Sequence, residues 1–113
     1  MNLFQLSYDV AESGGMTNEQ ALAQLVEVLV RRLHCPMISR FVRSTVVFST
    51  ASGYFDTLQV LNGWLSASGI TYVVAQILPN EDGKRFYYMV KPNQSLQNEV
   101  NILIRMFSGQ GNV

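Results

Sequence analysis

The sequence has 113 residues, of which 48% are hydrophobic and 14% are charged, with eight basic and eight acidic side chains. This length predicts one domain with a single core, and the zero net charge argues against a protein that grips nucleic acid over its whole surface. A charged fraction well below the usual quarter predicts a large core and apolar surface that a partner covers.

The sequence has neither a long apolar run nor a signal-like N-terminus. No run approaches the ~18 residues that a membrane span requires, and no basic region precedes an apolar stretch at the start. We therefore expect a cytoplasmic protein without membrane contact. Cys35 is the only cysteine, so an internal disulfide is excluded, and its place before Pro36 favours a buried thiol.

The first two predicted elements are a strand and a helix. Residues 3–10 alternate between polar and apolar side chains, as in a strand with one apolar face. Thr17 and Gln20 form the pattern of a capping box, and leucine and valine recur at helical spacing after it. The first helix is expected over about 17–34.

The next segment predicts two short strands and a second helix. Residues 37–42 and 44–50 are rich in β-branched and aromatic residues, although one long bent strand has the same pattern. Ser52 is the expected N-cap of the helix that follows, and Gly69 is expected to end it in a left-handed conformation. Trp64 lies at the flank of this helix and should be only partly buried.

Two more strands and a third helix complete the predicted order. Residues 70–78 are apolar enough for a central strand, and a turn containing Gly83 leads into a strand over 85–90. A helix is predicted over 94–107, followed by a flexible tail over 108–113.

This order predicts an α+β fold of the ferredoxin-like type in one domain, residues 1–107. The plan is β-α-β-β-α-β, with an antiparallel sheet and helices on one face, and an extra strand and helix at the C-terminus. The outer strand, or the second face of the sheet, is then available to a partner.

The charges are unevenly distributed along the chain. Residues 1–30 contain four acids and no Lys or Arg, and four arginines follow with no acid among them: Arg31, Arg32, Arg40 and Arg43. These arginines form a local anion-binding patch if they converge, and Arg40 and Arg43 are the candidate binding residues. For Arg31 and Arg32, a favourable interaction with the C-terminal end of the helix is the preferred interpretation.

Several stretches resemble a known family. The first strand ends in "SYDV", the two-strand unit reads "ISRFVRSTVVFST", and a later strand reads "YVVAQIL". Together they resemble the small Cas2 and SinR-like proteins, to which VapD-type ribonucleases are structurally similar. The resemblance implies a homodimer in which the last strand of one subunit extends the sheet of the other, with Phe86, Tyr88 and Val90 at the interface. It also implies that Asp9 lies near the dimer axis, where two copies approach one divalent metal ion.

Asp9 is the candidate catalytic and metal-binding residue. A Mg²⁺ site needs two or more oxygen ligands, and a twofold mate supplies the second carboxylate in a dimer. The alternative is an aspartate that caps the turn after the strand, which is a common role of Asp. The capping role is favoured from the residues alone, and no cofactor is expected unless the chain is a nuclease.

Aromatic and basic residues alternate near the C-terminal strand. Tyr87 and Arg85 are candidate binding residues because aromatics beside cations on an open sheet can stack bases. Packing in the core or at a dimer contact is the favoured role for the other aromatics of that strand.

Three functions follow as hypotheses. The first is a Cas2/SinR-like homodimer that acts by binding a protein, nucleoprotein or nucleic-acid partner, with little or no catalysis. The second is a Mg²⁺-dependent endonuclease that uses Asp9. The third is a phage or mobile-element protein that inhibits a host defence complex.

Overall fold

The described part of the chain forms four strands and three helices. The computed structural model describes residues 1–10, 14–66, 68–79, 82–83 and 93–109. The elements are β1 (Asn2–Val10), α1 (Asn18–Arg31), β2 (Met37–Val42), β3 (Thr45–Thr50), α2 (Tyr54–Leu65), β4 (Ile70–Ile77) and α3 (Gln94–Phe107). The strand expected over 85–90 lies outside the described residues.

The four strands form one antiparallel sheet in the order β2-β3-β1-β4. Phe4 of β1 lies opposite Phe48 of β3 on one side and Gln76 of β4 on the other. The described chain is therefore a mixed α+β fold with β1 inside the sheet. Among the described strands β4 stands last, and the strand expected to follow it over 85–90 lies outside the described residues, so the central position of β4 stays a prediction.

One hydrophobic core joins the sheet to all three helices. The alternating face of β1 enters it, and the rings of Phe4 and Phe48 stack with centroids 5.4 Å apart. Such aromatic pairs contribute about 0.5–1.5 kcal/mol beyond the area they bury. Leu25 and Leu29 of α1 and Val100 of α3 are fully enclosed in the same core.

Helix α1 begins as the sequence predicts. The Thr17 hydroxyl accepts the N–H of Gln20 at 3.1 Å, and the Gln20 side chain accepts the N–H of Thr17 at 2.9 Å. The helix ends at Arg31, three residues before the expected limit. His34 adopts a left-handed conformation with φ 50°, which stops the helix.

Helix α2 differs from its expected form at the N-terminus. The N-cap is Gly53 and not Ser52, and no side chain caps this end. Thr57, Leu61 and Leu65 are the buried residues of the helix. Phe55 is 82% exposed. This helix therefore presents apolar surface to the outside.

Strands β2 and β3 are separate, as the two-strand alternative predicts. The pairing register shifts between Arg40 and Val42, which marks an irregularity next to the turn at Arg43 and Ser44. The Ser44 carbonyl accepts the N–H of Tyr8 at 2.9 Å, so the turn is also held to β1.

Helix α3 covers the outer edge of β2 through one side chain. The Oε1 atom of Gln97 accepts the backbone N–H of Arg40 at 2.9 Å, and its Nε2 donates to the carbonyl of Ile38 at 3.1 Å. The primary amide thus makes the two bonds that a neighbouring strand would make. This protects an edge that is otherwise a template for pairing with another chain.

None of the helices in the part of the chain that the structure describes is long and apolar enough to cross a membrane.

Candidate functional site

Asp9 stands at the exit of β1, opposite Thr71 of β4. Its carboxylate is exposed, and its Oδ1 atom accepts the backbone N–H of the next residue, Val10, at 2.9 Å. This local hydrogen bond is made to the last residue of β1, whereas the turn that Asp9 is predicted to cap begins outside the described residues.

A shallow open pocket of about 220 Å³ surrounds Asp9. Its lining residues come from β1 and β4: Ser7, Tyr8, Asp9, Thr71, Tyr72 and Val73. The Tyr72 hydroxyl donates to Asn62 of α2, and partial burial raises the pKa of Tyr72 above its ordinary value. Across residues 1–10, 14–66, 68–79, 82–83 and 93–109, no three His, Cys, Asp or Glu side chains gather closely enough to hold a metal ion.

Arg40 lies inside the protein rather than on its surface. The side chain is fully buried, and its Nη1 donates to the Glu99 carboxylate of α3 at 2.5 Å. Its Nε and Nη2 donate to the carbonyl of Arg43 at 3.0 and 2.7 Å, and Nη2 also donates to Asn18 at 3.2 Å. The sequence predicts Arg40 as a surface binding residue, but in this arrangement its donors are directed at internal acceptors.

A polar network extends from Arg40 to the first strand. The Tyr8 hydroxyl donates to the carbonyl of Arg43 at 3.1 Å, and the Asn18 amide donates to the Ser44 hydroxyl at 3.0 Å. Burial raises the pKa of Tyr8, and the nearby Arg40 guanidinium partly opposes that rise. The network joins β1, α1, the β2–β3 turn and α3, and it holds these elements together.

Arg43, the second arginine predicted to bind, remains accessible. Its Nη2 lies 2.7 Å from the Glu19 carboxylate of α1, and both side chains are more than half exposed. Arg40 and Arg43 therefore do not present their charges to one surface. The other predicted binding and interface residues lie outside the described residues: Arg85, Phe86, Tyr87, Tyr88 and Val90.

Cys35 lies just past α1 and packs against the core. Burial raises the pKa of its thiol to about 12. A thiol with that pKa remains protonated at neutral pH, as expected for a structural cysteine.

Two arginines at the C-terminal end of α1 each contact an aromatic ring. The Arg32 guanidinium lies 3.9 Å from the centroid of Trp64 at the end of α2. The Arg31 guanidinium lies 5.3 Å from the ring of Phe107 at the end of α3, and its Nε donates to the Phe107 carbonyl at 3.3 Å. Arg105 is exposed in the same last turn of α3, two positions before Phe107 and therefore on another side of the helix. We call the four residues Arg31, Arg32, Trp64 and Phe107 the basic-aromatic patch.

The sequence predicts the partial exposure of Trp64 in this patch but not the two contacts between arginines and aromatic rings. Trp64 is 54% exposed, as its position at the helix flank indicates. The pairing with Arg32 joins residues 32 positions apart, and the pairing of Arg31 with Phe107 spans 76 positions. No local periodicity carries that information.

Apolar side chains are exposed along and after β4. Val73 is 71% exposed and Leu78 is 65% exposed. Val73 lies opposite Ser7, on the face of the sheet that carries Asp9. Apolar side chains are therefore exposed at the β4 end of the described sheet, whereas at the opposite end Gln97 covers the outer edge of β2.

Comparison of the chain with family models, with curated proteins and with solved structures finds no match.

Proposed function

We propose that the chain is a ferredoxin-like homodimer, similar to the Cas2 and SinR-like proteins, that acts by binding a macromolecular partner with little or no catalysis. The strand order β2-β3-β1-β4 with all neighbours antiparallel supports the ferredoxin-like plan.

The observation that carries the proposal is the difference between the two ends of the described sheet. At the β2 end, Gln97 occupies the backbone N–H and C=O groups of the outer edge. At the β4 end, Val73 exposes 71% of its surface beside the Asp9 pocket. Exposed apolar residues at a sheet end are typical of an interface, and a second copy of this chain is the occupant that the proposal assigns.

Sedimentation velocity of purified protein at micromolar concentration tests the dimer. Val73→Asp is expected to give a monomer because it places a charge in the apolar contact. Phe55→Asp is the matched control, since Phe55 is even more exposed, 82% against 71% for Val73, but lies on α2, and this variant should remain dimeric. A monomeric wild-type protein, or a Val73→Asp variant that dimerises as tightly as wild type, overturns the dimer.

Co-purification from lysate, with and without nuclease treatment, tests the partner. The wild-type dimer is expected to retain a macromolecular partner that Val73→Asp loses, while Phe55→Asp retains it. Mass spectrometry and absorbance then distinguish a nucleic acid from a protein complex, including a defence complex as the inhibitor hypothesis requires. The proposal is contradicted if neither the wild-type protein nor Phe55→Asp retains a partner.

The pocket at Asp9 supports a second candidate, a Mg²⁺-dependent endonuclease. Asp9 and Val73 lie on the same face of the sheet, so a dimer that packs this face against its copy brings the two Asp9 carboxylates toward each other. If this candidate holds, Asp9→Asn abolishes Mg²⁺-dependent cleavage of RNA or DNA, whereas Asp56→Asn, an exposed aspartate of α2, leaves the rate unchanged. An Asp9→Asn protein that cleaves at the original rate eliminates it.

A further inference from the structure

Helix α3 is attached to the rest of the fold by few buried side chains. Helices α1 and α3 have the same length, 14 residues, but α1 buries six residues and α3 buries one, Val100. Leu103, Ile104 and Phe107 of α3 are only partly buried against the core. Elements with few buried apolar contacts open at a lower free-energy cost than the core of a protein. We therefore expect α3 to detach from the sheet before the rest of the chain unfolds.

The Gln97 side chain of α3 occupies backbone groups that an added strand would use. Its amide accepts the N–H of Arg40 and donates to the C=O of Ile38. In a parallel ladder, a single residue of the added strand makes this pair of bonds and lies opposite the residue between them, here Ser39. Gln97 therefore takes the place of the main chain of a parallel strand beside β2.

The side chains next to this edge favour a particular sequence in such a strand. Neighbouring residues of a strand point to opposite faces, so the residue after the one opposite Ser39 would lie beside Arg40. Arg40 is fully buried and binds the Glu99 carboxylate of α3 at 2.5 Å, so an acidic side chain at that position can replace Glu99. The residue before the one opposite Ser39 would lie beside Ile38, which is buried in the core, and an apolar side chain suits it.

We infer that α3 is an autoinhibitory cover of the β2 edge, and that its displacement opens a binding site for an extended peptide segment of another protein. The peptide adds to β2 as a parallel strand with the pattern apolar, any residue, then Asp or Glu. The inference goes beyond the proposed function, because the site lies at the opposite end of the described sheet from Val73 and does not require the dimer.

Because α3 and the peptide compete for the same groups, the peptide affinity depends on how often α3 is displaced. The apparent dissociation constant equals the intrinsic one divided by the fraction of molecules with an open edge. Gln97→Ala removes two bonds that hold α3 closed and takes nothing from the edge itself. A loss of about 1–3 kcal/mol in the closed state raises the open fraction, and with it the peptide affinity, about 5- to 150-fold. A side chain with a merely structural role would not strengthen binding when it is removed.

Fluorescence anisotropy of a labelled peptide, Ser-Thr-Val-Thr-Glu-Thr-Thr-Ser, measures this affinity. We expect Gln97→Ala to bind the peptide more tightly than wild type by that factor. Val100→Ala loosens α3 without touching the edge and should also bind more tightly. A peptide with Gln in place of Glu should bind the Gln97→Ala protein about tenfold more weakly, because Arg40 then lacks a carboxylate. The inference is overturned if neither variant binds more tightly than wild type, or if the two peptides bind equally.

Thr17→Ala is the matched control for general destabilisation. It removes the N-cap hydroxyl of α1 and leaves α3 and β2 unchanged. The peptide affinity of this variant should equal that of wild type. A rise as large as that of Gln97→Ala would mean that the peptide binds unfolded chain, and it would overturn the inference.

Hydrogen exchange locates the bound peptide. In Gln97→Ala the Arg40 N–H loses its acceptor, and a peptide carbonyl should protect it again. Exchange at Arg40 that stays equally fast with saturating peptide overturns the assignment to the β2 edge. Val73→Asp should bind the peptide as wild type does, so a failure of the dimer and a failure of this inference are separate results.

Discussion

The guanidinium of Arg40 is fully enclosed, yet its partner carboxylate on Glu99, 2.5 Å away, is half exposed. The pair therefore has one member that water reaches and one that it does not. Removing the exposed member leaves a buried cation, whereas removing the buried member leaves an anion that water can solvate.

This asymmetry predicts unequal costs for the two single substitutions. Glu99→Ala is expected to lower the free energy of unfolding by about 2 kcal/mol, below the 3–5 kcal/mol of a fully enclosed pair because water reaches the carboxylate. Arg40→Met should cost less, since the thioether fills the space without a charge. Urea unfolding measures both.

The surface pair of Arg43 and Glu19 is the control for this comparison. Glu19→Ala should cost less than about 1 kcal/mol. The account of the buried cation is contradicted if Glu99→Ala is no more harmful than Glu19→Ala, or if adding Arg40→Met to it does not restore stability.

Substitution of Gln97 should destabilise the edge of β2 locally, because its amide bonds to two backbone groups there. Gln97→Ala removes a donor and an acceptor from partly buried backbone groups and should cost about 1–3 kcal/mol. Gln97→Glu keeps the acceptor for the Arg40 N–H but cannot donate to Ile38. Hydrogen exchange should therefore accelerate at the Arg40 amide in Gln97→Ala and less so in Gln97→Glu. Equal exchange in wild type and Gln97→Ala would show that the side chain does not protect the edge.

The buried thiol of Cys35 should make the free energy of unfolding fall at alkaline pH. Burial raises the pKa of its thiol from 9.0 to about 12, so above pH 9 the unfolded chain releases a proton that the folded chain retains. The free energy of unfolding should consequently fall by up to about 1.4 kcal/mol per pH unit between 9 and 12. Cys35→Ala removes this contribution, and the difference between the two unfolding curves isolates it from other groups. Rapid alkylation of the native thiol at pH 8, as fast as in urea, would contradict it.

Substitutions of Thr17 measure how much the capping box of α1 contributes to the free energy of unfolding. Thr17→Ala removes the hydroxyl that accepts the Gln20 N–H and should cost about 1 kcal/mol, while Thr17→Ser keeps it and should be nearly neutral. Thermal or urea unfolding distinguishes them. Equal stability of the two variants would mean that the capping box contributes nothing in the folded protein.

The features that depend on nearby residues were predictable. The Thr17–Gln20 box and the leucine stripe of α1 follow from spacing within a few turns, and both are confirmed. The left-handed Gly69, with φ 83°, follows from turn chemistry, whereas the separation of β2 from β3 is one of two alternatives that the composition allows. These signals are local, so no knowledge of the tertiary structure is needed.

The features of the candidate sites depend on distant residues and were not predictable. Arg40 looks like a surface cation in its own segment, and two of the partners that its buried guanidinium needs are distant in sequence: Glu99, 59 positions later, and Asn18, 22 positions earlier. The pairing of Arg32 with Trp64 is equally non-local. A buried arginine and an exposed arginine have the same local pattern, and the side chains that surround them come from other elements.

The position of β1 inside the sheet has a consequence for synthesis of the chain. Phe4 is made early, but its partners are Phe48 and Gln76, and the second of these follows 72 residues later. At ~5–20 residues per second, roughly 4 to 14 s pass between them. During that interval an apolar strand lacks at least one of its neighbours. The nascent chain should therefore be a substrate for ribosome-associated chaperones before it is a folded protein.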